Sequence, residues 1–113
     1  MQVEYQFVNE SHFQQLIELG DELFDNEVEE ELLKRFLDDE RHHLLLAVIG
    51  DQIVGFASGL DYIHPDKKLQ LFINEVSVLE TYQSKGIRRE LVRRLVDYGK
   101  SLKCAEAWVT TVV

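Results

Sequence analysis

Gln83-Ser84-Lys85-Gly86-Ile87-Arg88-Arg89 gathers a glycine and three basic residues immediately ahead of a helical apolar pattern, in which Ile87, Leu91, Leu95 and Leu102 recur. That spacing puts the segment at a helix N-terminus. The first amides of a helix have no internal acceptor, and the macrodipole adds positive potential at the same end. Each such contribution is about 0.3–1 kcal/mol at an exposed site, so several together hold a phosphate. Lys85, Arg88 and Arg89 place full positive charges where a helix normally disfavours them, and a bound anion would offset that repulsion. The second unusual residue is Glu75, a carboxylate in a run otherwise rich in Leu, Phe, Ile and Val. It is either a functional group or a residue on the solvent face of its strand, or paired with an arginine.

The elements that must position these residues can be read along the chain. Tyr5 to Val8 reads as a short strand. Ser11 with Gln14 forms a capping-box pattern ahead of a helix buried through Phe13, Leu16, Ile17 and Leu23. Asn26 with Glu29 repeats the signal before a second helix lined by Val28, Leu32, Leu33 and Phe36. His43 to Ile49 and Gln52 to Leu60 are strands joined by the hairpin turn Gly50-Asp51. Asp61 to Lys67, with the only proline at Pro65, reads as a loop. Strand Leu69 to Leu79, helix Gly86 to Lys103 and strand Ala105 to Val112 follow. The order β-α-α-β-β-β-α-β implies one α/β domain over residues 1–113 with a mixed sheet. Its last strand–helix–strand unit should be a right-handed parallel crossover.

Gln83-Ser84-Lys85-Gly86-Ile87-Arg88 resembles the Q/R-x-x-G-x-G/A signature of the GNAT superfamily of acyl-CoA-dependent N-acetyltransferases. Asn74 to Val78 looks like that family's central strand, and Glu106-Ala107-Trp108-Val109 like the strand that splays from it. Within the superfamily, the wording from Phe72 to Trp108 is most similar to aminoglycoside 3-N-acetyltransferases. Two departures accompany the likeness. Arg88 stands where the family has Gly or Ala, and the chain stops at Val113, ahead of the family's last helix and strands. The resemblance therefore implies a C-terminally truncated, partial GNAT domain.

What the resemblance implies for chemistry is specific. Acetyl-CoA is the expected co-substrate, with Gln83, Ser84, Lys85, Gly86, Ile87, Arg88 and Arg89 holding its pyrophosphate. Backbone groups of Val76, Ser77 and Val78, freed by a bulge, would bond the pantetheine arm, and an N–H near Val76 would stabilise the oxyanion. The side chains of Val76 and Val78 read equally as ordinary core. Glu75 is the expected general base: amines have pKa values near 10, so roughly one in a thousand is neutral at pH 7, a cost of about 4 kcal/mol. A positioned carboxylate removes that proton in step with attack. The acceptor would be a small cationic amine, plausibly an aminoglycoside, and Asp61 and Tyr62 lie in the loop expected to face it. The alternative is a non-catalytic interaction domain with weak or no CoA binding. Its last strand, from Ala105, would be an unprotected edge through which a homo-oligomer forms.

Composition frames both readings. A hydrophobic content of 45 % fits a globular domain. No apolar run approaches a membrane span, and the N-terminus has no basic start or apolar stretch. The lone Cys104 has no internal disulfide partner and no Cys/His cluster has zinc spacing, so no metal and a cytoplasmic location are expected. Charge is uneven: residues 1–60 hold 14 acidic and 3 basic side chains, residues 61–113 hold 7 and 9, together the 21 and 12 of the whole. An acidic half argues against nucleic acid, whose phosphates need a basic footprint. It suits a cationic partner, while Glu27 to Glu31 and Asp38 to Glu40 also read as a solvated helix face. Tyr98, Trp108 and Cys104 are expected as packing or core residues, and no partner is evident for His42 or His43.

Overall fold

The computed structural model describes residues 2–109. Strand β1 (Glu4–Phe7) leads through a 3-10 turn (Glu10–His12) into helix α1 (Phe13–Leu19). A second 3-10 turn (Gly20–Glu22) precedes α2 (Glu30–Asp38). Strands β2 (His42–Ile49), β3 (Gln52–His64) and β4 (Lys67–Val78) follow, then α3 (Ile87–Ser101) and β5 (Glu106–Val109). The expected order of strands and helices is the observed one. The five strands lie in chain order, the first three pairings antiparallel and β4–β5 parallel, with α3 making the crossover. Residues 110–112, expected to extend the last strand, lie outside the described residues.

Both faces of the sheet are covered, which explains why β2 reads as an unbroken apolar run. Leu45 and Ala47 point to α3, where they meet Leu71, Ile73, Leu91 and Leu95. Leu44, Leu46 and Val48 point the other way, to Leu16 of α1 and Leu33 of α2, with Phe56 beneath. Glycine permits close approach at two places, one between β3 and β4 and one between α3 and β4. A Cβ on Gly59 would lie 2.7 Å from Phe72 O, and one on Gly99 2.8 Å from Leu71 Cδ2.

The centre of the sheet is irregular, and that irregularity sets the site. Ser58 faces Glu75 and Gly59 faces Ile73, so Asn74 is an extra residue on β4. Regular alternation from Leu71 and Ile73 would turn Glu75 into the α3 core. The bulge shifts the phase by one residue, so Val76 and Val78 take the α3 side. Glu75 shares the opposite face with Phe56 and Ser58.

Several local expectations change. Asp61 to Lys67 is not a loop: β3 continues to His64 and β4 begins at Lys67, with Asp61 opposite Leu71 and Tyr62 opposite Gln70. Only Pro65-Asp66 make the turn, since proline has no N–H for the ladder. The first helical segment is capped by Asn9, not Ser11. Asn9 Oδ1 accepts from Ser11 N–H (2.8 Å), and His12 Nδ1 accepts from Asn9 N–H (3.0 Å). Asn26 caps nothing, because α2 begins four residues later and Glu29 at its N-cap makes no side-chain cap bond. Trp108 is not core; it is half exposed and stacks on Phe72. Among the described residues, no helix is long and apolar enough to cross a membrane.

Candidate active site

Two clefts lie on opposite faces of the sheet near the end of β4. The first is a cleft of about 790 Å³ at the start of α3, bounded by Val78, Gln83, Ser84, Gly86, Arg88 and Arg89. Gly86 occupies the N-cap with φ +80°, a left-handed conformation that side chains disfavour, although a Cβ there would meet nothing within 4 Å. Glycine is therefore required by the backbone turn, and the space over it stays open. Ser84 is also left-handed at φ 68°, and strain of this kind concentrates at ligand-binding turns. The first helical bond runs from Glu90 N–H to Gly86 O at 3.1 Å. The amides of Ile87, Arg88 and Arg89 thus emerge at the helix end, the arrangement that binds anions.

The charges divide between two tasks. Arg93 and Arg94 are engaged by Glu90, whose carboxyl they hold at about 2 through hydrogen bonds from Arg93 first and Arg94 second. Arg88 and Arg89 line the cleft, Arg93 borders it while held by Glu90, and Lys85 does not line it.

The expected backbone groups of β4 carry a feature that sequence reasoning missed. Arg88 Nη1 donates to Val76 O at 3.0 Å, and Gln83 Nε2 donates to Val78 O at 3.1 Å. Described pairing with β5 ends at Ile73 opposite Val109, so these carbonyls lie beyond it. In a strand the N–H and C=O of one residue leave by the same edge, so the amides of Val76 and Val78 face that way too. The Ser77 hydroxyl has another role. It donates to Leu23 O at 2.7 Å and ties the connection between α1 and α2 onto β4.

That tether builds the second cleft, a cavity of about 780 Å³ on the opposite face of the sheet. Glu75 and Ser58 stand on one side, and Asp25, Glu27 and Glu29 line it from the connection. Partial burial raises the Glu75 pKa above the usual carboxylate value, and the charge of Asp25 raises it further. A raised pKa brings a carboxyl group nearer to the range useful to a general base. Part of the acidic run that reads as a solvated helix face therefore lies ahead of α2 and borders a cavity.

The two expected substrate residues are elsewhere. Asp61 sits on the α3 face, bonded through Oδ1 to His43 Nε2 at 3.0 Å, and the His43 ring contacts Tyr98 edge-on. Tyr62 packs edge-on against Phe72. Neither borders the Glu75 cavity or the anion cleft. Among the described residues, no group of three or more His, Cys, Asp or Glu side chains is placed to hold a metal ion.

The model of the GNAT acetyltransferase family matches residues 7–113. L-2,4-diaminobutyric acid acetyltransferase of Oceanobacillus iheyensis is 40 % identical over 58 residues, which is 51 % of this chain and 31 % of that protein. The alignment thus spans about a third of the curated relative's length. Among solved structures, a GNAT family acetyltransferase from Staphylococcus aureus superposes with a TM-score of 0.88 at 20 % identity, covering 100 % of this chain and 89 % of the other. The aminoglycoside N-acetyltransferase AAC(6')-Iy in complex with CoA superposes at 0.83 with 18 % identity, covering 98 % and 78 %. At such identities the superpositions establish the fold.

Proposed function

The chain belongs to the GNAT acetyltransferase family, and from that premise we propose that it transfers an acetyl group from acetyl-CoA to a small cationic amine, with Glu75 as general base. The observation that carries the reading is that two unlike clefts border β4 within three residues of each other, one at Glu75 and one at Val78. A cationic helix start opens on one side of Val78, and an acidic cavity holding Glu75 opens on the other face. Pyrophosphate would lie against the α3 amides with Arg89, which places the thioester toward Val76. Glu75 first takes a proton from the ammonium group and frees its lone pair, the neutral amine attacks the thioester carbon, and Val76 N–H receives the developing oxyanion. The tetrahedral adduct then collapses to the amide with loss of the CoA thiolate, and the second nitrogen proton passes through solvent to that thiolate.

Aminoglycosides and 2,4-diaminobutyrate, the compounds named for similar proteins, are the first acceptors to assay. Thiol release from acetyl-CoA measures transfer. Glu75→Gln should lower kcat by about 10²–10⁴-fold while leaving CoA affinity unchanged. An unaltered kcat would remove Glu75 from the mechanism.

One observation favours a second reading, a non-catalytic member that associates with another chain. The Arg88 side chain already occupies Val76 O, beside the route assigned to the thioester arm. Absence of CoA binding in calorimetry, with self-association in sedimentation, would select that reading.

A further inference from the structure

The cavity beside Glu75 is acidic only at its rim. Its floor is formed by Leu16, Leu33, Leu44 and Phe56, exposed by 0, 7, 5 and 1 %. Phe24 stacks on Phe56 with ring centroids 4.4 Å apart, and Leu32, 53 % exposed, adds an apolar edge. No lysine, arginine or histidine borders it. Neutral hydrogen-bonding side chains are two, Asn26 and Ser58, and the Ser58 hydroxyl already donates to Asn74 Oδ1 at 3.0 Å.

Such a wall does not treat all cationic amines alike. The carboxylates of Asp25 and Glu75 suit one ammonium group, and Asp25 is the rim acid whose charge reaches Glu75. Beyond that end only the rim groups Asn26, Glu27 and Glu29 could replace the water bonds a polyhydroxylated ring surrenders, and the apolar floor offers none. A hydrocarbon surrenders nothing polar and removes both its own surface and that of the floor from water.

We propose that the acceptor is a primary amine carried on an apolar alkyl or aryl body, with nitrogen at the Asp25–Glu75 end and hydrocarbon over the Leu16–Phe56 floor. This rests on the acetyl-transfer reading and narrows its substrate class away from sugars.

The test is calorimetric titration of the full chain with ethylamine, butylamine, hexylamine, 2-phenylethylamine and kanamycin, each repeated as a thiol-release assay with acetyl-CoA. Affinity should rise about two- to fourfold per added methylene, the upper figure corresponding to about 0.8 kcal/mol for a fully buried one. Leu32→Asn, an exposed change compatible with folding, should flatten that gradient. Equal affinity along the series, or kanamycin binding more tightly than hexylamine, overturns the proposal. The length gradient without thiol release upholds the apolar-amine site and rejects acetyl transfer. Thiol release that favours kanamycin upholds transfer and rejects the apolar acceptor.

Discussion

Arg88→Ala discriminates between two opposite roles for the residue that departs from the family pattern. Its guanidinium donates to Val76 O at 3.0 Å while its backbone amide lies in the first turn of α3. If the side chain obstructs the β4 edge, a cofactor arm must break that bond before it can use the strand. A hydrogen bond from a charged donor is worth about 1.5–3 kcal/mol in sheltered sites. Arg88 is exposed, so solvent screening reduces the figure to about 1 kcal/mol. Removing it should tighten CoA binding by up to about fivefold. Alanine is the best helix former, so α3 itself should not suffer, and loss of the same bond should lower the thermal midpoint by no more than about 4–8 °C. Calorimetry with CoA at several salt concentrations is the assay. Affinity that falls, with a weaker dependence on salt, would show a direct phosphate contact and refute the obstruction argument.

Gly86→Asp forces a side chain and a like charge into a left-handed turn beside the phosphate site, and should weaken CoA binding at least tenfold, about 1.4 kcal/mol; unchanged affinity with an intact fold would dismiss the anion site. If Glu75 in its deprotonated form is the base, its raised pKa should place the acid limb of kcat/KM above that of an ordinary carboxylate. Asp25→Asn should move that limb to lower pH without removing the part due to burial, and a limb that stays in place would disconnect the two residues. Burial lowers the pKa of His12, so the unfolded chain binds the extra proton, and the stabilisation is present above the unfolded value of 6.5 and lost as pH falls from there through the lowered folded value. Urea midpoints should accordingly drop between pH 7.5 and 5.5, and by less in His12→Asn; equal drops would absolve His12.

The order of elements was legible because periodicity reports burial directly. Leu44 to Ile49 alternates between two covered faces, and Ile87, Leu91 and Leu95 fall on one side of a helix, whatever packs there. The turn that opens the cleft at the start of α3 was legible for a similar reason, since Gly86 sets the left-handed N-cap through local backbone geometry. A signal for the bulge was also present: apolar residues shift from odd positions at Leu71 and Ile73 to even ones at Val76 and Val78. Pairing with β3 was needed to show that Asn74 is the extra residue and that Glu75 consequently faces the cavity. The rest depended on residues distant in sequence. Ser77 holds Leu23 across 54 positions and so brings Asp25 to Glu75, and β2–β3 pairing turns Asp61 toward His43. Local patterns set which face a side chain prefers. Only the assembled sheet decides which carboxylates share a cavity, because their mutual repulsion must be offset by contacts made elsewhere in the fold.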